Sequence, residues 1–111
     1  MATLRGRFYL KLTPSGNLLG EYSNDDPGCR HCYAEAATRK SPPVPGEFAG
    51  TYISTWCEPP EYGVGSAVLE ISPAGQGRGI FSLKWTRPGP VIFEGTAMQS
   101  GDMLVGDYRG T

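Results

Sequence analysis

The sequence predicts an all-β fold, a small antiparallel up-and-down β-barrel of seven to eight strands, and three observations carry that reading. The first is a repeat. Gly16-Asn-Leu-Leu-Gly20-Glu-Tyr22 and Gly46-Glu-Phe-Ala-Gly50-Thr-Tyr52 share the spacing G-x-φ-x-G-x-Y, where φ is apolar. Leu104-Val-Gly106-Asp-Tyr108 repeats it after Ser100-Gly101-Asp102 with one extra residue, as a bulge or longer turn gives, and Phe93-Glu-Gly95-Thr-Ala97 repeats the φ-x-G part. The second is alternation, because residues two apart in a strand share a face. The apolar residue, the glycine and the tyrosine then point inward, while Glu21, Glu47, Thr51, Glu94, Thr96 and Asp107 point out. The third is the turn chemistry of the short connectors Thr13-Pro-Ser-Gly16, Ser72-Pro-Ala-Gly75, Arg87-Pro-Gly-Pro90 and Gln99-Ser-Gly-Asp102.

The remaining segments follow in order. Arg7-Phe-Tyr-Leu-Lys-Leu12 sets Phe8, Leu10 and Leu12 against Arg7, Tyr9 and Lys11. Ser66-Ala-Val-Leu-Glu-Ile71 puts Ala67, Leu69 and Ile71 on one face, and Ile80-Phe-Ser-Leu-Lys-Trp85 does the same for Phe81, Leu83 and Trp85. Glycine inside a strand weakens it unless the chain must bend or another group must come close, so repeated inward glycines imply a strongly curved sheet. Seven strands are counted in this way. An odd number in up-and-down order leaves the first and last parallel, so antiparallel closure needs an eighth. Either the 23–45 insertion supplies it, the barrel stays open, or a partner completes it.

The insertion itself reads as helical around residues 27–40. Asp26 suits a cap, Pro27 the first helical position, and Arg39 and Lys40 the last turn. Cys29-Arg-His-Cys32 would then lie where a helix N-terminus lowers a thiolate pKa. Three readings stand: a redox pair, a metal site built from Cys29, Cys32 and Cys57, and ordinary reduced surface thiols, which is preferred.

The 111 residues suit one domain spanning 1–111. Ten Lys+Arg against eleven Asp+Glu give a net charge of −1, no field for gripping nucleic acid or an anionic membrane. No apolar run approaches a membrane helix, and no signal-peptide pattern opens the chain, so the expectation is a cytoplasmic protein. The 16 Gly and 10 Pro would suggest disorder were they not accompanied by 39% apolar and 11% aromatic residues. No cofactor is expected and an enzyme is disfavoured. The sole His31 lies in the insertion, and no G-x-S-x-G, metal-type His pair or phosphate loop is present. Gly75-Gln-Gly-Arg-Gly79 reads as a hairpin turn, and Glu58, Glu61, Asp102 and Asp107 as surface carboxylates unless strand ends pair them.

Gly46-Glu-Phe-Ala-Gly-Thr-Tyr-Ile-Ser-Thr55 resembles the GEFxGTYIT strand of avidins. Phe81-Ser-Leu-Lys-Trp85 followed by Val91-Ile-Phe93-Glu-Gly95 resembles their F-x-V-x-W and V-F-x-G, and Leu4-Arg-Gly-Arg-Phe8 their opening L-x-G-x-W. With gaps, the similarity spans most of the chain outside 23–45. It implies an avidin-like or lipocalin-like (calycin) barrel, with Tyr52, Ser54, Trp85 and Phe93 at pocket positions. Leu10 stands where avidins place an inward Asn for the biotin ureido group, and Pro14 near their Ser. The chain also stops at Thr111, before their last strand and its subunit-bridging Trp. Loss of such hydrogen-bond partners predicts that biotin is not bound strongly.

The inward residues Tyr22, Tyr52, Ser54, Trp56, Trp85, Phe93 and Tyr108 are the candidate ligand-binding set, since rings with a few hydroxyls suit a small apolar or aromatic ligand. The same residues could instead fill the barrel, which is about wide enough for either. In that case the chain is an interaction or scaffold module. Its partner would be a second copy or another chain paired at sheet edges, or a second copy held through the outward apolar residues Ile53, Val68, Ile92 and Met98.

Overall fold

The computed structural model describes residues 3–42, 46–58, 63–75 and 79–111. Eight antiparallel strands run in chain order around a closed barrel: β1 (Arg5–Leu12), β2 (Leu18–Asn24), β3 (Tyr33–Arg39), β4 (Gly50–Glu58), β5 (Gly63–Pro73), β6 (Ile80–Thr86), β7 (Val91–Ser100) and β8 (Met103–Gly110). The ring closes where β1 pairs with β8, Phe8 facing Gly106 and Leu10 facing Leu104. Each strand is therefore paired on both sides, and the wall has no free strand edge.

The eighth strand comes from the insertion. The helix expected around 27–40 is not formed. The Asp26–Cys29 segment is a tight turn, in which Asp26 Oδ1 accepts from the Gly28 N–H at 2.7 Å and the Asp26 carbonyl from the Cys29 N–H at 2.8 Å. Tyr33–Arg39 then runs as β3 between β2 and β4, with Tyr33, Glu35 and Ala37 buried. Its alanines favour a helix locally, but a helix here would leave β2 and β4 without a neighbour. Closure satisfies both rows of backbone donors and acceptors and overrides a preference worth a few tenths of a kcal/mol per residue.

Close backbone approach explains two of the wall glycines. A Cβ on Gly20 would fall inside the van der Waals shell of the Tyr9 carbonyl, across the β1–β2 pair. One on Gly65 would collide with the Trp56 indole that lies over it. The first lets two strands bend together, and the second makes room for a ring.

The barrel interior divides into two halves. At one end, fully buried Leu10, Leu18, Leu69, Leu83 and Leu104 meet Phe48, which enters from the segment before β4 and stands edge-on to Phe81 at 6.0 Å. Arg39 ties this end shut. It donates to the carbonyls of Gly16, Ala49 and Glu47 and to the Tyr52 hydroxyl, which itself donates to the Phe48 carbonyl at 2.6 Å. The other end holds the β2–β3, β4–β5 and β6–β7 connections, and is not plugged. No helix among the described residues is long and apolar enough to cross a membrane.

Candidate ligand-binding site

A cavity of about 220 Å³ occupies the unplugged end, lined by Leu4, Tyr22, Asn24, Asp26, Glu35, Trp56, Glu58, Trp85, Phe93 and Tyr108. Five of the seven sequence-predicted site residues meet here: Tyr22, Trp56, Trp85, Phe93 and Tyr108. Their rings form a chain of edge-to-face contacts. Trp56 to Phe93 is 6.1 Å, Phe93 to Tyr108 5.6 Å, and Tyr108 to Tyr22 6.3 Å. Trp85 lies 6.1 Å from Tyr108 and stands against Phe8 at 5.6 Å. Edge-to-face geometry fixes the rings against one another.

The other two predicted residues lie elsewhere. Tyr52 belongs to the plugged end, where the Arg39 guanidinium stacks 4.8 Å from its ring centroid. Burial pushes its hydroxyl pKa up, and the Arg39 charge partly opposes this. Ser54 sits between the two halves, wholly buried, and donates to Glu35 Oε2 at 2.7 Å.

Glu35 is the residue that the sequence reading missed. It is 5% exposed, on the inner face of β3, and its Oε2 accepts from Ser54 Oγ and, at 2.9 Å, from Trp85 Nε1. Among the described residues Oε1 accepts no bond, while every fully buried polar side-chain atom has a partner. Oε1 therefore keeps open access, and Glu35 lines the cavity. Burial drives its pKa above the ordinary 4.5, and the two donated bonds pull the other way without cancelling it. A strand register would have found it, since Tyr33, Glu35 and Ala37 alternate inward. Reading the segment as helical hid that face.

The rim is polar. Trp56 Nε1 donates to Glu58 Oε1 at 3.0 Å, and the Tyr22 hydroxyl donates to the Cys57 carbonyl. Asn24 Nδ2 donates to the Tyr108 hydroxyl at 3.0 Å, which leaves that O–H free to donate in turn. Burial, opposed only by the Asn24 bond, pushes the Tyr108 hydroxyl pKa up to about 12; burial raises that of Tyr22 as well, so both stay neutral donors. Asp26 and Glu58, first read as a helix cap and a surface carboxylate, are part of the lining.

The cysteines are not gathered. Cys29 is half-buried, Cys32 and Cys57 are exposed, and all three are free. Cys29 Sγ accepts from the Asn24 N–H, and among the described residues no helix terminus lies beside the thiols. Among the described residues no group of three or more His, Cys, Asp or Glu side chains could hold a metal ion. Glu58 lies at the unplugged end and Asp102 in the β7–β8 turn at the plugged end, so they form no pair. Glu61 and most of Gly75–Gly79 lie outside the described residues.

The stability of the barrel should carry the signature of Glu35. A carboxyl whose folded-state pKa is raised holds a proton that the unfolded chain has already released, so stability falls as pH rises from about 4.5 and levels off above the raised value. Glu35→Gln removes that fall. Urea midpoints measured between pH 4 and 8 should show the variant gaining on the wild type with rising pH; parallel profiles would contradict a raised pKa.

The fold and the site together define a class: a closed, eight-stranded, antiparallel up-and-down barrel with one end plugged and an aromatic cavity at the other. No protein-family profile, curated protein or solved structure matches the chain.

Proposed function

We propose that this is a binding protein for a small aromatic or apolar molecule, held in the unplugged end of the barrel. The single observation that carries the reading is the cavity of about 220 Å³, walled by the rings of Tyr22, Trp56, Trp85, Phe93 and Tyr108. An apolar protein cavity of about 150 Å³ takes up benzene, so this space suits a body of one or two rings. The plugged half answers to the filled-core expectation, and confines the ligand to the other half. A calycin-type binder in the sense of avidins and lipocalins fits this closed barrel. Strong biotin binding does not fit, since Leu10 is fully buried in the plugged half and offers no polar atom. Three free cysteines suit a reducing, cytoplasmic setting.

A second reading, self-association, has a weaker basis. Ile53 pairs with Val68 across β4–β5, and Met98 with Val105 across β7–β8, but these are separate small patches. Ile92 lies against the core instead. Solution mass tests this reading: a strict monomer removes it.

The cavity reading is tested by a thermal-shift screen of one- and two-ring compounds. Asn24→Phe places a ring in the cavity mouth and should abolish any shift that the wild type shows. Equal shifts in both proteins, or none in the wild type across the set, would count against the cavity as a binding site.

A further inference from the structure

Every ionisable group lining the cavity other than the tyrosines is a carboxylate: Asp26, Glu35 and Glu58, with no Lys, Arg or His among the described lining residues. All three are already in use on one oxygen. Asp26 Oδ1 accepts from the Gly28 N–H, Glu58 Oε1 from the Trp56 indole, and Glu35 Oε2 from Ser54 and Trp85. Glu35 differs from the rim acids in being buried while Oε1 stays without a partner among the described residues and open to the cavity. Such an oxygen, reachable from the cavity on an otherwise buried side chain, is placed to take a donor brought from outside, and a positively charged donor also offsets the cost of burying the charge. The aromatic walls act in the same direction, since the faces of Trp and Tyr rings are negative and attract an ammonium within about 6 Å.

We infer that the cavity takes a small aromatic molecule carrying a protonated amine, its ammonium hydrogen-bonded to Glu35 Oε1 and flanked by the Trp85 and Tyr108 rings. The inference rests on the cavity reading above and narrows it to one charge class. The ring of the ligand fills the space between Trp56, Phe93 and Tyr22. The rim acids Asp26 and Glu58 favour entry of a cation and repel a carboxylate. An aromatic acid is disfavoured twice, at the rim and at Glu35.

Three probes with one ring and the same reach separate the possibilities: phenethylamine, 2-phenylethanol and 3-phenylpropionate, titrated calorimetrically into the intact protein. The expected result is that phenethylamine binds about tenfold or more tightly than 2-phenylethanol, as a charge-assisted bond against a neutral one requires, and that 3-phenylpropionate does not bind. In Glu35→Gln the amine should fall to the level of the alcohol. Should that variant not fold, the wild type gives a second reading. Measured between pH 5 and 8, phenethylamine binding should tighten with rising pH, the direction in which Glu35 gives up its proton, while alcohol binding stays flat. Ser54 and Trp85 bond to Glu35, Tyr22 and Tyr108 feel its charge, and Asp26 and Glu58 share the cavity lining; the two tyrosines stay neutral throughout that range. Alcohol binding equal to or tighter than amine binding overturns the amine inference and leaves the cavity reading standing. Failure of all three probes to bind overturns both.

Discussion

Trp85→Ala should lower the stability of the barrel by about 3–5 kcal/mol, the cost of truncating a large buried ring, and the melting temperature by about 10–20 °C. Two losses combine. The indole is 4% exposed and touches Phe8 and Tyr108, so its removal leaves a void that rigid neighbouring strands cannot collapse. Its Nε1 is also one of the two donors that make a buried Glu35 tolerable. Trp85→Phe separates the two, since it keeps most of the ring and deletes the donor. A double-mutant cycle between Trp85→Phe and Glu35→Gln should then show coupling, measured as urea midpoints at pH 7. Additive effects would mean that the Trp85–Glu35 bond contributes nothing to stability.

Gly20→Val should cost about 3 kcal/mol, the upper end of ordinary overpacking. The atoms that a Cβ would meet are the carbonyl and Cα of Tyr9 and Leu10 on β1, which are backbone and have no rotamer to change. Gly63→Ala is the matched control. Its Cβ would meet only the Glu58 side chain at ordinary contact distance, 3.4 Å, and its φ is not positive, so it should fall within about 0.5 kcal/mol of the wild type. Circular dichroism on denaturation gives both values, and equal stabilities would show that the close approach at Gly20 relaxes without cost.

These two sites differ in how far a reader of the sequence could anticipate them. Gly20 belongs to the G-x-φ-x-G-x-Y repeat, and its inward position between Leu18 and Tyr22 follows from alternation alone. The same rule places Trp56, Trp85, Phe93 and Tyr108 inside. Glu35 could not be placed that way while its segment read as helical, because Pro27, the alanines and Arg39 meet the local requirements of a helix. The parity argument did point to the insertion as one source of an eighth strand. It could not say that this strand would carry a carboxylate to the cavity wall.

The sequence by itself determined the sheet, its curvature, its turns and the rings that face inward, since all of these depend on period-2 alternation and on residues a few positions apart. The tertiary structure alone decided three things. It made Tyr33–Arg39 a strand, because only closure gives β2 and β4 their second partner. It plugged one end, through Phe48 and the Arg39 clamp, and so sent Tyr52 away from the cavity. It buried Glu35, which is tolerable only where Ser54 from β4 and Trp85 from β6 deliver donors across the barrel. The last depends on groups 19 to 50 residues apart, brought together by the ring of strands and by nothing local.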